Sequence, residues 1–177
     1  MKTIATHDPP IQNDRMRIRL AALNICDAES AALQLRRCCA SGQWVRGMTS
    51  ARPFDGVEEM ESCADHLWAQ CPPAEWLAVF ATHPKIGARE GSEWSKQEQS
   101  AVMSADAAVR EELAQANREY EEKFGFIFIV CAAGKSSAEM LEILRGRMQN
   151  TPGVELREAA EQQRLIMRLR LRKMLSE

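Results

Sequence analysis

A single apolar run limits the folds that this chain can adopt. Residues 124–130 read FGFIFIV, which combines aromatic and β-branched side chains as a buried strand does. No second run of this kind occurs in the sequence, so a strand here would have no partner and its backbone N–H and C=O groups would stay unsatisfied. We therefore expect an extended apolar segment, about residues 124–131, that threads a core of helices and leaves some backbone groups for a ligand.

Capping residues and apolar spacing predict helices in the first half of the chain. Two helical segments are expected between residues 16 and 40, with Asp27 as a candidate N-cap for the second. Asp55 followed by Glu58 resembles a capping box, which would begin a helix that runs to about Gln70. The helix that starts at Pro72 and Pro73 should end before the proline that follows His83. Its buried face is expected to consist of Trp76, Leu77 and Phe80.

The second half of the chain repeats this pattern. Ser95-x-x-Glu98 should open one helix, and Asp106 is a candidate cap for a further segment. Ser136 or Ser137 should cap the next helix, and Pro152 should begin the last and longest one. The apolar stripe predicted after Asp106 consists of Val109, Leu113, Ala116 and Tyr120.

Length and composition set the number of domains. At 177 residues and 19.9 kDa the chain is long enough for one domain with a sizeable core. Residues 1–15 are polar, contain Pro9 and Pro10 and show no periodicity, so we expect a disordered N-terminal tail. Residues 16–177 are then predicted to form a single helical domain.

Charge and hydropathy argue against two classes of partner. The 25 acidic and 23 basic residues give a net charge of −2 and a pI near 6.0, which offers no general attraction to nucleic acid or to an anionic membrane. No apolar run approaches the roughly 18 to 20 residues of a membrane span, and the first residues lack the apolar centre of a secretion signal. The chain ends in Leu-Ser-Glu and not in a peroxisomal signal. We expect a cytoplasmic protein with neither nucleic acid nor a membrane as a partner.

The six cysteines do not form a metal-binding pattern. They show no C-x-x-C pair and no histidine at metal-ligand spacing, so we predict no metal site. Free cysteine is commonly buried as a small apolar residue, and we expect reduced thiols in the core. The residues concerned are Cys26, Cys38, Cys39, Cys63, Cys71 and Cys131.

Three side chains are candidates for chemistry, and each also has a purely structural interpretation. His83 is one of three histidines, and imidazole alone titrates near physiological pH, but a histidine after a helix also binds carbonyls. Glu98 occupies the third position of a capping box, a role that needs no chemistry. Arg170 lies between Ile166 and Met174 at i, i+4 and i+8, so it should face the core, although its head group could still reach solvent. Spacing alone leaves these alternatives open.

An ordered set of motifs from about residue 16 onward resembles the 2-oxo-4-hydroxy-4-carboxy-5-ureidoimidazoline (OHCU) decarboxylases of uric acid degradation. Each motif is weak by itself, but their order along the chain is specific. The motifs are RPF at 52–54, HPKIG at 83–87, S-x-x-E-Q at 95–99, N-x-x-Y-x-x-K-F-G-F-x-F at 117–128, GRMQN at 146–150, EL-x-x-A at 155–159 and LRL at 169–171.

This resemblance implies a fold, an activity and a set of site residues. The fold would be an all-α bundle, usually a homodimer. The reaction would be the decarboxylation of a small ureide, OHCU, to (S)-allantoin in purine catabolism without a metal or organic cofactor. The implied catalytic residues are His83, Glu98 and Arg170. The implied substrate-binding residues are Pro84, Ser95, Lys96, Gln97, Glu98, Gln99, Phe128, Ile129, Val130, Cys131 and Ala132. The loop between His83 and Glu98 is shorter than in many members of the family.

Two other classes of function are compatible with the sequence. A non-enzymatic helical module could bind a partner peptide in an apolar groove. A different cofactor-free enzyme on the same scaffold could act on another small ureide. The first alternative predicts that the three candidate side chains point apart or into solvent.

Overall fold

The computed structural model of the protein describes residues 10–85, 94, 97 and 107–177. Eight helices lie within residues 10–85 and 107–177, and none of the described residues forms a strand. The helices are α1 (Pro10–Ile25), α2 (Ala28–Cys38), α3 (Gly42–Ser50), α4 (Val57–Ala69), α5 (Pro73–Phe80), α6 (Ala107–Phe124), α7 (Ser137–Arg147) and α8 (Pro152–Ser176). The all-α prediction is confirmed. None of these helices is both long and apolar enough to span a bilayer.

The backbone divides into two compact units, with one boundary between Cys71 and Pro72 and a second between Ile166 and Met167 inside α8. The first unit contains the described residues of Met1–Cys71 together with Met167–Glu177, and the second contains those of Pro72–Ile166. The prediction of a single domain over residues 16–177 stays a prediction.

The first unit is built on α1 to α4 and the end of α8. Trp44 of α3 is fully buried, and its indole Nε1 donates to the Ala64 carbonyl of α4 at 3.0 Å, which satisfies the one polar atom of that ring. Arg52 of the RPF motif donates from Nη1 to the Leu23 carbonyl at 2.6 Å and to the Cys26 carbonyl at 2.9 Å. These carbonyls belong to the end of α1, where helical acceptors lack intrahelical partners. RPF is therefore a structural motif that caps α1.

The second unit contains α5, α6, α7 and the first part of α8. The predicted stripe of α6 is confirmed, since Leu113, Ala116 and Tyr120 are buried and Val109 is half-buried. Helix α6 ends at Phe124, and Gly125 follows it with φ +77°, a left-handed conformation that glycine adopts without strain. Gly125 thus ends the helix and redirects the chain into the apolar segment.

Several predicted helix boundaries are confirmed. Asp27 caps α2 by accepting from the Ser30 N–H, and Ser136 forms a capping box with Glu139 at the start of α7. Helix α4 ends at Ala69 with Gln70 as its C-cap, and Pro152 begins α8, which has 25 residues. Asp106 directly precedes α6 but lies outside the described residues.

Three predictions about helix starts and faces are wrong. The N-cap of α4 is Gly56, which has no side chain, and it is Glu59 rather than Glu58 that accepts from the Asp55 N–H, at 2.5 Å. Leu77 of α5 is 39% exposed and Trp76 is half-buried, whereas Val79 joins Phe80 in the interior, so the buried face is rotated. Residues 10–15, assigned to the disordered tail, are the first residues of α1.

The cysteine prediction is correct for most positions. All six are free thiols, and Cys38, Cys39, Cys71 and Cys131 are buried among core residues. Cys26 and Cys63 are half-buried. In the part of the chain that the structure describes, no group of three His, Cys, Asp or Glu side chains is arranged to hold a metal ion.

Candidate active site

His83 lies in a turn that follows the C-terminal end of α5. Its backbone N–H donates to the Phe80 carbonyl at 3.0 Å, and Pro84 prevents further helix because it has no N–H. His83 and Pro84 are both half-buried. The structure thus places the imidazole at a helix terminus, as the sequence predicted.

A salt bridge connects this turn to α6. Lys85 Nζ lies 2.6 Å from Glu121 Oε2 of α6, although both side chains are largely exposed. On the other side of the turn, the Phe80 ring packs against Phe126 with a centroid distance of 5.6 Å. The residues on either side of His83 therefore contact Glu121, which precedes Gly125, and Phe126, which follows it. The chain continues from there into the apolar segment.

The extended segment predicted for about residues 124–131 begins later than expected, because Phe124 is the last residue of α6. Residues 127–132, called the apolar segment from here on, form neither helix nor strand. Phe128, Ile129, Val130, Cys131 and Ala132 are each at most 8% exposed. Phe128, Val130 and Ala132 belong to one apolar cluster with buried side chains of α6 and α7. The alternation of residues 128, 130 and 132 toward this cluster is what an extended backbone produces.

Side chains form hydrogen bonds with part of the backbone of this segment, as a neighbouring strand would. Arg147 Nη1 donates to the Ile129 carbonyl at 2.7 Å. The Cys131 N–H donates to Gln162 Oε1 at 3.0 Å, and Lys135 Nζ donates to the Cys131 carbonyl at 2.8 Å. Within the described chain, the backbone N–H and C=O groups of Phe128 and Val130 have no such partner. Buried backbone groups are nearly always paired, so the groups of Phe128 and Val130 suit a ligand.

A buried polar network lies beneath the segment, and sequence reasoning assigned it no role. Arg147 donates to Glu155 Oε1 from Nε at 2.8 Å and from Nη2 at 2.5 Å, and Asn150 Nδ2 donates to Glu155 Oε2 at 2.7 Å. The Tyr120 hydroxyl donates to Glu155 Oε1, and the pKa of Tyr120 is raised, mainly by burial and then by this bond. The Arg147 guanidinium also stacks 4.8 Å from the Phe128 ring centroid.

The sequence did carry a signal for this network. Each member comes from one of the family-like motifs, and two of them occupy positions where helical spacing predicts an apolar residue. Tyr120 is four residues after Ala116 in the α6 stripe, and Arg147 is three residues after Leu144 in α7. A charged residue at such a position must find a buried partner of opposite charge.

Arg170 belongs to the other unit, where it lies on α8 and is 9% exposed. Ile166 and Met174, its neighbours on the stripe, are also buried, which confirms that this arginine faces the interior. Cys38 of α2 is near enough for the guanidinium to act on its thiol: burial raises the pKa of Cys38 to about 12, and the Arg170 charge opposes that rise. Its neighbours Arg168 and Arg172 form ion pairs with Glu61 and are considerably more exposed.

The remaining predicted site residues are only partly described. Gln97 is exposed, whereas Ser95, Lys96, Glu98 and Gln99 lie outside the described residues. His83, Pro84 and the 128–132 segment belong to one unit and Arg170 to the other. The convergence of His83, Glu98 and Arg170 on one cavity stays a prediction.

Comparisons with known proteins show which family the chain resembles. The family model for OHCU decarboxylase matches residues 24–172. The uric acid degradation bifunctional protein TTL of Arabidopsis thaliana is 35% identical over 148 residues, which cover 79% of this chain but only 46% of that protein. The 2-oxo-4-hydroxy-4-carboxy-5-ureidoimidazoline decarboxylase of Mus musculus is 31% identical over 132 residues, covering 69% of this chain and 72% of the mouse protein.

A solved structure agrees with these sequence matches. A crystal structure of an OHCU decarboxylase in the presence of (S)-allantoin superimposes with a TM-score of 0.74 at 36% identity, and the match covers 86% of this chain and all of the other. The matched region contains every motif from RPF to LRL. The chain therefore belongs to the OHCU decarboxylase family.

Proposed function

We propose that this protein decarboxylates OHCU to (S)-allantoin in the degradation of uric acid. The observation that carries this proposal is the family match over residues 24–172, which includes the histidine turn, the apolar segment and the buried arginine of α8. The proposed reaction uses no metal and no organic cofactor, so the side chains and backbone of the protein must supply all the stabilisation.

The reaction makes clear demands on the site. The bond from the ring carbon to its carboxylate breaks, CO₂ leaves, and the electron pair enters the conjugated ring. The hydroxyl on that carbon loses its proton and becomes a carbonyl. The neighbouring ring carbon, which bears the ureido group, gains a proton, and the ring nitrogen that was doubly bonded to it gains a second one, which balances the negative charge of the departed carboxylate. Donors fixed in advance where this charge develops lower the barrier most. A single enantiomer forms only if the proton arrives on one face.

The predicted site residues fit these demands by type. Arg170 can make a two-pronged contact to an anionic or carbonyl oxygen, and its burial between apolar neighbours on α8 fixes its direction. We assign His83 to the leaving carboxylate and the hydroxyl, and Glu98 to the ring or ureido nitrogens, as acid and base groups. The half-buried position of His83 after α5 supports its part, because the imidazole is accessible and held by a defined turn.

The substrate's ureido group is assigned to the segment 128–132. A ureido group presents N–H donors beside a carbonyl acceptor, and the backbone of Phe128 and Val130 offers the complementary acceptors and donors. Pro84 and the residues 95–99 complete the proposed substrate contacts. The assembly we propose is a cytoplasmic homodimer.

The chirality of the product tests the proposal directly. OHCU is generated from urate by the preceding enzymatic steps, this protein is added, and the circular dichroism of the allantoin is followed. Spontaneous decay gives a racemate, so faster decay with an optically active product supports the proposal. Racemic product formed at the rate of the protein-free control would overturn it.

Ligand binding provides a second measurement. Binding to the folded state alone raises the melting temperature, by an amount that grows with ligand concentration. Millimolar (S)-allantoin, as a product, is expected to raise the melting temperature. A partner-peptide module would show no such increase.

A further inference from the structure

The segment 128–132 is held by a buried arginine, Arg147, to which the proposed reaction assigns no role. Arg147 of α7 uses Nη1 for the Ile129 carbonyl and Nε with Nη2 for Glu155 of α8. One planar guanidinium thus joins the apolar segment to the carboxylate of a different helix. A lysine carries its three N–H donors on one nitrogen and lacks the planar fork with which the guanidinium reaches these two separated acceptors at once.

The burial of this pair makes the geometry rigid. The Arg147 side chain is 8% exposed and that of Glu155 is fully buried. The second carboxylate oxygen accepts from Asn150, and the first also accepts from Tyr120, so the carboxylate is fixed on both sides. A buried charge that is paired and fully hydrogen-bonded has few alternative orientations.

The direction of the segment is sensitive to this contact. No strand lies beside residues 127–132 in the described chain, and the Arg147 contact to Ile129 lies between Phe128 and Val130. The Phe128 ring lies against the same guanidinium, so backbone and side chain are fixed by one group. A shift of Ile129 must therefore move the neighbouring backbone groups.

We infer that Arg147, held by Glu155, is a positioning residue that sets the direction of the Phe128 and Val130 backbone groups for the ureido end of the substrate. The inference rests on the proposed function, because it needs the segment to contact substrate. Arg147 itself touches no substrate, and it acts through the Ile129 carbonyl. It follows that its loss weakens binding of the ureido group more than it slows the bond-breaking step.

The first test compares Arg147→Lys with stability controls from the other unit. The lysine variant keeps the charge next to Glu155 but gives up the Ile129 contact. Val45→Ala and Met48→Ala remove buried side-chain atoms from α3, which belongs to the other unit, so they lower the melting temperature by leaving a cavity there. All proteins are assayed for KM, for kcat and for (S)-allantoin affinity by calorimetry, at a temperature where each is folded.

The expected result is a selective loss in Arg147→Lys. Its KM and its dissociation constant for (S)-allantoin should rise by about tenfold, the effect of losing one well-formed hydrogen bond, with a smaller change in kcat. The α3 variants should bind as the wild type does. Equal losses in Arg147→Lys and in an α3 variant of matched melting temperature would overturn the inference.

A second variant separates stability from positioning. Arg147→Met combined with Glu155→Gln removes both charges, and replacing a buried ion pair by neutral groups of similar volume is often neutral for stability. The glutamine still accepts from Tyr120. Compared with an α3 variant of matched melting temperature, this protein should lose (S)-allantoin affinity as Arg147→Lys does, and wild-type affinity in it would also overturn the inference.

The outcomes distinguish this inference from the proposed function. A wild type that neither forms optically active allantoin nor binds (S)-allantoin contradicts the proposed function. An active wild type with unchanged affinity in both Arg147 variants contradicts the positioning role alone.

Discussion

Asn24 and Phe54 are joined by two hydrogen bonds of opposite direction. Asn24 Nδ2 donates to the Phe54 carbonyl at 2.8 Å, and its Oδ1 accepts from the Phe54 N–H at 3.0 Å. The side-chain amide of α1 thereby pairs with the backbone of the RPF motif as a strand would. This contact fixes the connection between α3 and α4.

Two substitutions of Asn24 should show how much its donor and its acceptor each contribute to stability. Asn24→Ala loses both bonds and should lower the free energy of unfolding by about 1 to 3 kcal/mol, because it leaves part-buried backbone groups unpaired. Asn24→Asp keeps the acceptor but not the donor, so its loss should be smaller at acidic pH, where the carboxyl is protonated and can donate. Urea unfolding of the three proteins at pH 4 and pH 7 measures this. Equal stability of wild type and Asn24→Ala would contradict a role for the pair.

The ion pairs of Glu61 predict that removing the arginine and removing the glutamate destabilise the protein by different amounts. The Glu61 side chain is 4% exposed, whereas that of Arg172, its partner at 2.5 Å, is 46% exposed. Removing the arginine leaves a buried carboxylate poorly compensated, but removing the carboxylate frees an arginine that water can solvate. Arg172→Ala should therefore be more destabilising than Glu61→Gln. Chemical denaturation measures the difference, and the reverse order would show that Arg168, 3.9 Å from Glu61, compensates fully.

His83 should be required for turnover but not for folding. Its side chain is half-buried after α5, so His83→Asn should change stability little, while loss of a general acid or base reduces the rate by about 10² to 10⁴. His66→Asn is a matched control, because His66 is exposed on α4. Steady-state assays with circular dichroism of the folded proteins test this, and near-normal turnover in His83→Asn would refute the assignment.

Cys38 should make stability fall at alkaline pH. Burial raises the pKa of its thiol from 9.0 to about 12, so the folded state holds its proton while the unfolded state releases it. The stabilisation is present in full below pH 9 and is lost as the pH rises toward 12, with a slope of up to about 1.4 kcal/mol per pH unit. Cys38→Ala should show a flatter profile over this range. Parallel profiles for both proteins would contradict the assigned pKa.

Thiol labelling of the native protein provides a related test. Cys38, Cys39, Cys71 and Cys131 are buried, whereas Cys26 and Cys63 are half-buried. Thiolate formation and access control reactivity, so the two half-buried thiols should react first with a soluble disulfide reagent at pH 8. Mass spectrometry of the labelled peptides shows the order. Early labelling of Cys38 would show that its environment opens in solution.

Local sequence information determined the helices and the burial of Arg170. The caps Asp27 and Ser136 bond to residues three positions away, and the stripe that contains Arg170 repeats every four, so both can be read from neighbouring residues. The turn that contains His83 could also be predicted from neighbouring residues, since it depends on the proline that follows the histidine.

Tertiary packing decided the rest, because it depends on residues that are distant in sequence. Periodicity does not specify that Arg147 reaches back 18 residues to Ile129, or that Glu61 pairs with an arginine 111 residues away. The rotation of α5 that exposes Leu77 is likewise set by what packs against it. The sequence by itself determined most of the helices and the inward faces of α6 and α8, and only the tertiary structure decided the buried face of α5 and which buried groups meet. Hydrogen bonds and ion pairs are short-ranged, so they form only after packing has brought distant residues together.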